Sequence, residues 1–579
     1  MKKFIFYLSR DWALLALIVV IIFHGYLVTK TFWFDAEGNI RAAIAGYGDI
    51  PFHLTQVSKF AFGSFDLNEP IFTGERLRYA FFINLISGLI LRITGSWTFS
   101  LHFPTIFFIA AGTILVYLIY QKLLVRRWAA ILAVTLFFLG SGFGSYYQYQ
   151  KYFVERVAPD KSFAEYLTDN NISTISKWDA SYPQQNINWG APLSLVFLHQ
   201  RSFFLGFFLF VLFVYLLTRL TKDLRHNDWV WPAMVLGISP LAHYHSFVSM
   251  GMVAATFLAI QFFKKRTKLV KKILQMFLLG IIIASPQIIY LADTKDGLQL
   301  TGSRSFIDFH WGWMTEPTIG SVKFQENGLL FSDLLAFFNY LWINFGVILP
   351  LFVLAIFFVK RPDFRHHFPL GFFALAGLVL MLSVQFIRFQ PWDYDNNKML
   401  VYFQFFATPL IISIFLWLIP KWGRAAGFLL VIFSIVAIHS GIIDNLPRFI
   451  VKKERMPTIF TTDAINLAEF IKNRVKPSEQ ILTSSTHLNP VNSLAGRPVL
   501  VGYPGWLWTK GFPYSERENR IREYYQNPSL NSALIHEFNI KYVLIDLQAK
   551  NDWDADTQWL ENNLSKIFSA GQYTLYRIP

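Results

Sequence analysis

The residues best suited to chemistry in this chain stand beside long apolar segments. The stretch Gly48–His53 reads GDIPFH, and it places Asp49 and His53 about one helical turn apart on the same face. A carboxylate beside an imidazole is suited to accept a proton from a hydroxyl group. An Asp just before a proline in the first helical turn is also a favoured N-cap, so a purely structural role is the alternative. Asp49 and His53 are the candidate catalytic residues.

A second acidic candidate follows the first apolar segment. Asp35 and Glu37 have the spacing D-x-E, so either carboxylate is a substitute base if Asp49 does not take that role. The alternative is that both carboxylates only solvate the end of the preceding helix.

A third polar cluster stands between two apolar segments, where residues 390–398 read QPWDYDNNK. A turn alone explains its Pro, Asp and Asn residues, but it requires neither a Trp nor a Lys at the mouth of the next apolar segment. Basic side chains here are suited to hold a phosphate, and the carboxylates to hold a sugar hydroxyl or a metal ion. The candidate binding residues of this region are Arg388, Trp392, Asp393, Asp395, Asn396 and Lys398.

Four further ionisable residues stand at the ends of apolar segments. His199 and Arg201 precede a long apolar run, where an ionisable group usually faces a cavity or a partner. Snorkelling to lipid headgroups is the alternative. His243 and His245 form an H-x-H pattern, which is a weak metal signal and is commonly a solvated or interfacial pair. All four are candidate substrate-binding residues, and no metal site is predicted from them.

The C-terminal part of the chain carries a separate aromatic motif. The stretch Gly502–Trp508 reads GYPGWLW, and its Tyr503, Trp506 and Trp508 could stack on sugar rings or dip into the lipid headgroup layer. The sequence contains no P-loop, no dinucleotide-binding fingerprint, no H-E-x-x-H and no G-x-S-x-G.

The composition indicates which elements must position these residues. Hydrophobic residues make up 54% of the 579 residues and charged residues only 15%, whereas about a quarter of a soluble globular chain is charged. The chain is therefore predicted to lie in a membrane. With no Cys, it has no disulfide, no thiol nucleophile and no Cys metal site. The net charge of +15 comes from basic residues in short loops, which indicates anionic lipid and not nucleic acid as the neighbour.

The Lys and Arg residues fill alternate loops between the apolar segments. By the positive-inside rule these loops and the N-terminus are cytoplasmic, and the candidate residues lie outside. The first outer loop, about 31–98, contains two amphipathic stretches, Pro51–Phe62 and Tyr79–Leu91, which are predicted to lie flat on the membrane as interfacial helices. About eleven spans result: Trp12–Val28, Ser100–Tyr120, Ala129–Gly140, Phe203–Leu220, Trp229–Leu241, Phe247–Phe263, Ile273–Leu291, Leu335–Val359, Leu370–Phe386, Met399–Pro420 and Ala425–Ile443.

Residues 451–579 differ in character from residues 1–450. Their charge rises, and the long apolar runs stop. The predicted fold class is an all-α polytopic membrane domain over 1–450, followed by a small soluble α/β domain over 451–579 on the outer side. The helices predicted in this second domain are Asp463–Val475 and Glu516–Tyr525, and the strands are Gln480–Thr483, Lys541–Asp546 and Gln572–Ile578.

This plan resembles the GT-C superfamily of integral membrane glycosyltransferases, which includes the protein O-mannosyltransferases and the aminoarabinose transferases. As architecture the resemblance covers the whole chain: one span, a long outer loop with an acidic residue and two interfacial helices, many further spans, and an outer soluble domain. The sequence departs from the best-known members because it lacks a D-E pair at Asp49, and it is more similar to a prokaryotic branch. The local motifs that carry the resemblance are Gly48–His53, Leu77–Tyr79 with the short helix ending near Gly95–Trp97, the cluster Trp392–Lys398, and Gly502–Trp508.

The resemblance implies a glycosyltransferase whose donor is a sugar on a polyprenyl phosphate and whose acceptor is a glycan, a lipid or a protein. Asp49 would take a proton from the acceptor hydroxyl, and Arg or Lys would steady the leaving lipid phosphate. Arg78 and Tyr79 join the candidate substrate-binding residues, and the aromatic residues of Gly502–Trp508 would contact the acceptor or the sugar. No cofactor is predicted; a divalent metal is left open without a strong motif.

Two other functions fit a polytopic chain. A transporter or flippase of a lipid-linked saccharide would favour paired repeats, broken helices and polar residues near the midplane, whereas the polar clusters here stand at the ends of the segments. A non-catalytic, glycan-binding membrane scaffold would hardly need eleven spans. The sequence therefore favours glycosyl transfer on the extracytoplasmic face of a prokaryotic plasma membrane.

Overall fold

The computed structural model describes residues 12–43, 46–147, 162, 188–220, 227–292, 308–309, 331–358, 370–390, 393–446, 449 and 456–579. The helices in this part of the chain are α1 Trp12–Thr29, α2 Ile50–Phe62, α3 Phe82–Thr94, α4 Trp97–Leu124, α5 Arg127–Leu139, α6 Gly144–Tyr147, α7 Arg201–Arg219, α8 Val230–Ile238, α9 Tyr244–Phe263, α10 Thr267–Ala292, α11 Phe331–Phe345, α12 Ile348–Phe358, α13 Leu370–Phe386, α14 Asn397–Trp422, α15 Arg424–Asn445, α16 Thr462–Arg474, α17 Pro490–Ser493, α18 Pro504–Thr509, α19 Ser515–Gln526, α20 Ala533–Glu537 and α21 Thr557–Asn563. The strands are β1 Phe32–Phe34, β2 Ile40–Ala42, β3 Asp308–Phe309, β4 Ile387–Arg388, β5 Thr458–Phe460, β6 Gln480–Leu482, β7 Ile540–Ile545, β8 Ser565–Ala570 and β9 Tyr573–Arg577.

The chain has the helices of a multi-pass membrane protein. The predicted count of eleven spans is not confirmed, because α8 has nine residues and α13 has 17, whereas a span needs about 20. The pair Phe337–Phe345 and Ile348–Phe358 is bent by 95° and adds a ninth span only if it counts as one. Within the described residues, eight helices are long and apolar enough to cross a membrane: Trp12–Thr29, Trp97–Leu124, Arg127–Tyr147, Arg201–Arg219, Tyr244–Phe263, Thr267–Leu291, Tyr394–Trp422 and Arg424–Asn445.

The chain divides into two compact units. The first outer loop packs with the C-terminal segment, which differs from a linear division near residue 450. The helical unit comprises the described residues of Met1–Leu27, Ile106–Pro286 and Phe306–Val451, and the α/β unit comprises those of Val28–Thr105, Gln287–Ser305 and Lys452–Pro579.

In the helical unit, α7 and α14 fix the beginning of α9. A Cβ atom at Gly206 of α7 would clash with Cβ of His243 and Oγ of Ser246, so α7 and α9 approach closely there. Tyr402 of α14 stacks on Phe210 of α7 with 3.9 Å between ring centroids. The Tyr402 hydroxyl also hydrogen bonds to the Ser246 hydroxyl. The first turn of α9 is therefore held by two other helices.

The α/β unit contains two sheets and a shared hydrophobic core. The three-stranded sheet has the order β1-β2-β5, and the four-stranded sheet has the order β6-β7-β9-β8, with β6 parallel to β7 and the other neighbours antiparallel. One core cluster joins Leu54 and Val57 of α2 to Leu467 and Ile471 of α16 and Leu575 of β9. The outer loop and the C-terminal segment thus bury one another's apolar surface.

The prediction that Pro51–Phe62 lies flat on the membrane surface is wrong. Every residue of α2 from Ile50 to Ala61 is buried by protein. The C-terminal segment covers this helix, and the Ser58 hydroxyl donates to the Ser493 carbonyl at 2.6 Å. Helix α3 also packs closely on α2, because a Cβ atom at Gly88 would lie only 2.6 Å from Cβ of Phe60. The polar residues of α2 therefore meet protein groups instead of lipid headgroups.

The elements predicted in residues 451–579 lie within one residue of α16, α19, β6, β7 and β9 at both ends. The sequence did not indicate β8, the short helices α17, α18, α20 and α21, or the strands β1 and β2 of the first outer loop. These short elements lack the long periodic pattern on which sequence-based assignment depends.

Candidate functional site

Asp49 stands directly before α2, where Pro51 occupies the first turn. The Asp49 carbonyl accepts the His53 N–H at 3.1 Å, so the helical hydrogen bonding begins at this residue. Its side chain accepts no capping hydrogen bond, and its backbone has φ −100° and ψ −29°. The N-cap role that the sequence left open for the carboxylate is therefore not realised, and the half-buried side chain is oriented by other contacts.

His53 lies one turn further along α2 and is 2% exposed. Its Nδ1 lies 3.1 Å from the Asn84 amide nitrogen of α3, and the same nitrogen donates to Gln56 Oε1 at 2.8 Å. Because an amide NH₂ only donates, His53 Nδ1 accepts and the ring proton is placed on Nε2. Asn84 thus fixes both the orientation and the tautomer of His53, in the amide orientation adopted in this structure.

An aromatic group continues from this helix into the C-terminal segment. The Phe52 ring lies 4.7 Å from the Tyr79 ring and 5.3 Å from the Trp506 ring, between centroids. The Tyr79 ring also lies 6.1 Å from His53. Tyr79 and Trp506 are therefore brought to the same helix that carries Asp49 and His53.

A buried ion pair lies under these rings. Lys510 Nζ is 2.8 Å from Glu69 Oε2, and both side chains are almost fully buried. The same Nζ lies 4.6 Å from the centroid of the Phe52 ring, within the range of a cation–π contact. Burial lowers the pKa of Lys510, and the Glu69 carboxylate opposes that shift. The pair fixes the end of α18 against the first outer loop.

Arg78 forms contacts that hold the same region together. Its Nη2 is 3.0 Å from Glu75 Oε2, and its guanidinium lies 4.5 Å from the centroid of the Phe512 ring. The contact with Phe512 links the outer loop to the C-terminal segment, and Arg78 Nε is buried without a hydrogen-bond partner among the described residues.

The second acidic candidate, Asp35, has a structural environment. Its Oδ1 accepts the backbone N–H groups of Glu37 and Asn39 at 3.0 and 2.9 Å, and its Oδ2 accepts Arg41 Nε at 2.7 Å. The hydrogen bond from Arg41 holds the pKa of Asp35 well below its usual range. Asp35 therefore closes the turn between β1 and β2 and is poorly suited to accept a proton near neutral pH.

In the helical unit, Lys398 is at the centre of a polar group at the start of α14. Its Nζ lies 3.0 Å from Asp395 Oδ2, and its charge interacts with both His243 and His245. His243 caps α9, because its Nδ1 accepts the Ser246 N–H at 3.2 Å. His245 Nε2 is buried and has no hydrogen-bond partner among the described residues.

The remaining predicted residues of this unit differ in burial and in hydrogen bonding. The Asn396 side chain donates to the Ile387 carbonyl at 3.0 Å and so ties the turn before α14 to β4. Arg388 is 3% exposed and lies in β4. His199 and Arg201 are half-buried at the start of α7. Trp392 and the side chain of Asp393 lie outside the described residues.

The α/β unit therefore contains six of the predicted site residues together, and the helical unit contains others.

The sequence did not indicate several residues of this region, because their partners come from the far end of the chain. The distance in sequence is 441 residues for Glu69 and Lys510, and 439 for Gly48 and His487. Asn84 carried a local signal, as an amide among the apolar residues that begin α3. The six residues gathered in the α/β unit are Asp49, His53, Arg78, Tyr79, Tyr503 and Trp506. Trp508 belongs to the same unit and is 40% exposed. Among the described residues, no three His, Asp or Glu side chains come together as metal ligands.

No protein-family model and no curated protein matches the sequence. Solved structures do match. The chain is similar to the oligosaccharyltransferase of Archaeoglobus fulgidus in its apo form, with 11% identity over 96% of this chain and 73% of that chain, at a TM-score of 0.51. It is similar to the archaeal oligosaccharyltransferase AglB from Archaeoglobus fulgidus in complex with an inhibitory peptide and a dolichol-phosphate, with 13% identity over 98% and 74% of the two chains, at a TM-score of 0.51.

It is also similar to ArnT from Cupriavidus metallidurans bound to undecaprenyl phosphate, with 9% identity over 98% of both chains, at a TM-score of 0.47. The likeness to the two oligosaccharyltransferase structures extends over nearly all of this chain, and at such low identity it reports on the fold. The chain therefore shares the fold of these two oligosaccharyltransferase structures.

Proposed function

We propose that the protein is a glycosyltransferase that moves a sugar from a polyprenyl-phosphate donor to an acceptor hydroxyl. The observation that carries the proposal is the place of Asp49: it precedes a helix whose first turn carries His53, oriented by Asn84, and Phe52, which contacts Tyr79 and Trp506. A half-buried carboxylate one helical turn from an imidazole is suited to accept a proton from a hydroxyl group.

In the proposed reaction, Asp49 accepts the proton of the acceptor hydroxyl. The acceptor oxygen forms a bond to the anomeric carbon of the donor sugar, and the bond from that carbon to the phosphate oxygen breaks. The electron pair of the broken bond leaves with the lipid phosphate. His53 carries its ring proton on Nε2, because Asn84 occupies Nδ1, and we assign it to orienting the acceptor next to Asp49.

The donor assignment rests on the helical unit and on the fold. The Lys398 ammonium lies 3.0 Å from Asp395 Oδ2 in a nearly dry place, where a phosphate that replaces this carboxylate would be stabilised more strongly than in water. The AglB structure with the same fold contains a dolichol-phosphate. On the helical unit, Lys398, Arg201 and Arg388 are the candidates for contact with a lipid phosphate.

The test replaces Asp49 by Asn in the full chain, reconstituted in lipid nanodiscs with a panel of polyprenyl-phosphate hexoses and hydroxyl acceptors. Loss of a general base costs roughly 100- to 10,000-fold in rate, so transfer should fall by that factor while the melting temperature stays close to that of the wild type. The matched control is Asp552→Asn, which removes an exposed carboxylate from the same unit and should leave the rate unchanged. Full activity of Asp49→Asn would exclude Asp49 as the base and transfer that role to Asp393 or Asp395.

We further propose that the α/β unit is extracytoplasmic and that the basic loop between α9 and α10 is cytoplasmic, as the positive-inside rule predicts. The chain has no Cys of its own, so single Cys residues can be introduced without background. Ser515 and Lys268 are both exposed, and Cys at these positions should react with a membrane-impermeant maleimide from opposite sides of intact cells. Labelling of both positions from outside would contradict this orientation.

A further inference from the structure

One side chain of the α/β unit joins several aromatic rings and was not among the expected site residues. The His487 ring lies 4.9 Å from the Tyr503 ring, 5.0 Å from the Trp506 ring and 5.2 Å from the Tyr47 ring, between centroids. Tyr503 and Trp506 also contact one another at 5.3 Å. We call these four residues the aromatic cup.

The cup is attached to the backbone beside Asp49. His487 Nε2 lies 3.0 Å from the carbonyl oxygen of Gly48, which accepts and therefore requires the ring proton on Nε2. Gly48 separates Tyr47 from Asp49 in the sequence. The cup thus adjoins the residue proposed as the base, and His487 fixes that adjacency from the C-terminal segment.

The cup presents ring faces to solvent. Tyr47 is 39% exposed and Tyr503 is 37% exposed, although both contact His487. The rings are held in tilted or edge-on orientations by their neighbours, so they are rigid and amphipathic surfaces. A ring that is fixed and still exposed contributes contact area to a ligand at little cost in conformational entropy.

We propose that the aromatic cup binds a pyranose ring, and that the acceptor of the transfer reaction is therefore a saccharide. The apolar C–H face of a pyranose suits the exposed faces of Tyr47 and Tyr503, and its hydroxyl groups suit the tyrosine hydroxyls and the Asp49 carboxylate. The base takes its proton from the acceptor hydroxyl, so we assign the sugar held beside Asp49 to the acceptor. This inference rests on the proposed function.

The first experiment measures binding without catalysis. The full chain in nanodiscs is examined by saturation-transfer NMR with methyl β-glucopyranoside and methyl α-mannopyranoside, and with sorbitol as an open-chain polyol that has no ring face. We expect signals from the ring C–H protons of at least one glycoside and none from sorbitol. The variants Tyr47→Leu and Tyr503→Leu should weaken the glycoside signal roughly tenfold.

The control is Phe34→Leu, which removes an equally exposed ring, 39% exposed, from the same unit but outside the cup. It should leave the glycoside signal unchanged. An equal signal in all variants, an equal signal from sorbitol, or binding of an unglycosylated hexapeptide that depends on Tyr503 while no glycoside binds would each overturn the proposal. The last result would indicate a peptide acceptor.

The second experiment separates this inference from the proposed function. If the chain transfers sugar, Tyr503→Leu should raise the KM for a saccharide acceptor roughly tenfold and leave the KM for the lipid donor unchanged. An increase confined to the donor KM would overturn the assignment to the acceptor. Glycoside binding that depends on the cup, in a chain that transfers no sugar from any donor tested, would instead remove the proposed function and leave the pyranose site in place.

Discussion

The three candidate carboxylates differ in how their neighbours suit them to accept a proton. Asp35 receives four hydrogen bonds from its own hairpin, and Asp395 is paired with Lys398. Asp49 begins a helix that it does not cap. Because Arg41 holds the pKa of Asp35 low and Asp395 is paired with a cation, these two carboxylates are poorer proton acceptors, and Asp49, one turn from His53, stays the proposed base.

The imidazole of His487 provides a test of the cup by pH. Burial lowers the pKa of His487, and the hydrogen bond to the Gly48 carbonyl opposes the shift. The folded state therefore binds the proton less readily than the unfolded state, so native stability is lost as pH falls below the ordinary value of 6.5. The control variant is His487→Gln, whose amide keeps a donor for the Gly48 carbonyl. The melting temperature of the wild type minus that of the variant should be constant above pH 6.5 and should decrease below it.

The matched control for this measurement is His536→Gln, which replaces an exposed histidine of the same unit. Its melting temperature should follow that of the wild type from pH 8 to pH 5. If the wild type gained stability relative to His487→Gln on acidification, the imidazole would be stabilised as a cation, and the neutral, donating ring described here would be incorrect.

The sequence identified residues that act through near neighbours in the chain. It missed residues whose contacts come from distant parts of the chain. Pro51 identifies Asp49 as the residue before a helix, and the spacing of four places His53 on the same face. Nothing within a short window connects Glu69 to Lys510 or Gly48 to His487, because these contacts form only when the two ends of the chain fold together. Burial by such distant partners is also what turned an expected surface helix into a core helix.

At the scale of elements, helices approach closely at glycines. The spacing of a glycine within an apolar run does not predict which other helix it will contact. In the helical unit, α7 approaches α9 at Gly206, next to the histidine that caps α9. Hydropathy predicts that both segments are helices, but it does not predict which faces meet. The predicted count of eleven spans is not confirmed for a similar reason, since a nine-residue helix such as α8 is as apolar as a full span.

Gly206→Ala should therefore destabilise the helical unit. The added Cβ would lie 2.4 Å from His243 Cβ and Ser246 Oγ, and a clash this close belongs to the upper part of the overpacking range of about 1–3 kcal/mol, above the gain of about 1 kcal/mol in helix propensity. The expected result is a lower melting temperature in detergent micelles. Gly251→Ala on α9 is the control, because a Cβ there meets no atom within 4 Å, and it should be neutral or slightly stabilising. Equal melting temperatures for the two variants would contradict the close approach of α7 and α9.

At the scale of the whole molecule, the α/β unit is assembled from segments that the membrane helices separate in sequence. The first outer loop contributes α2 and α3, and the C-terminal segment contributes α16 and the four-stranded sheet. Neither segment has a complete core of its own, because Leu54 and Val57 of the loop pack in the same cluster as Leu467 and Leu575. Any site on this unit, including the one around Asp49, exists only when both segments are folded together.

Arg497 offers a direct test of this interdependence. It is 2% exposed, and its guanidinium donates to the carbonyl groups that end α2 and α16: Phe62 at 2.8 Å, Val475 at 2.8 Å and Lys472 at 3.3 Å. Arg497→Met would leave these buried acceptors unpaired, at a cost of about 2–5 kcal/mol. In hydrogen-exchange mass spectrometry on the full chain in nanodiscs, amides of α2 and α16 should exchange faster together, while α7 and α14 keep their protection. Arg474→Met, which removes an exposed arginine from α16, should change neither. If α16 exchanged faster while α2 kept full protection, the two helices would open independently. That result would contradict a single folding unit that includes both segments.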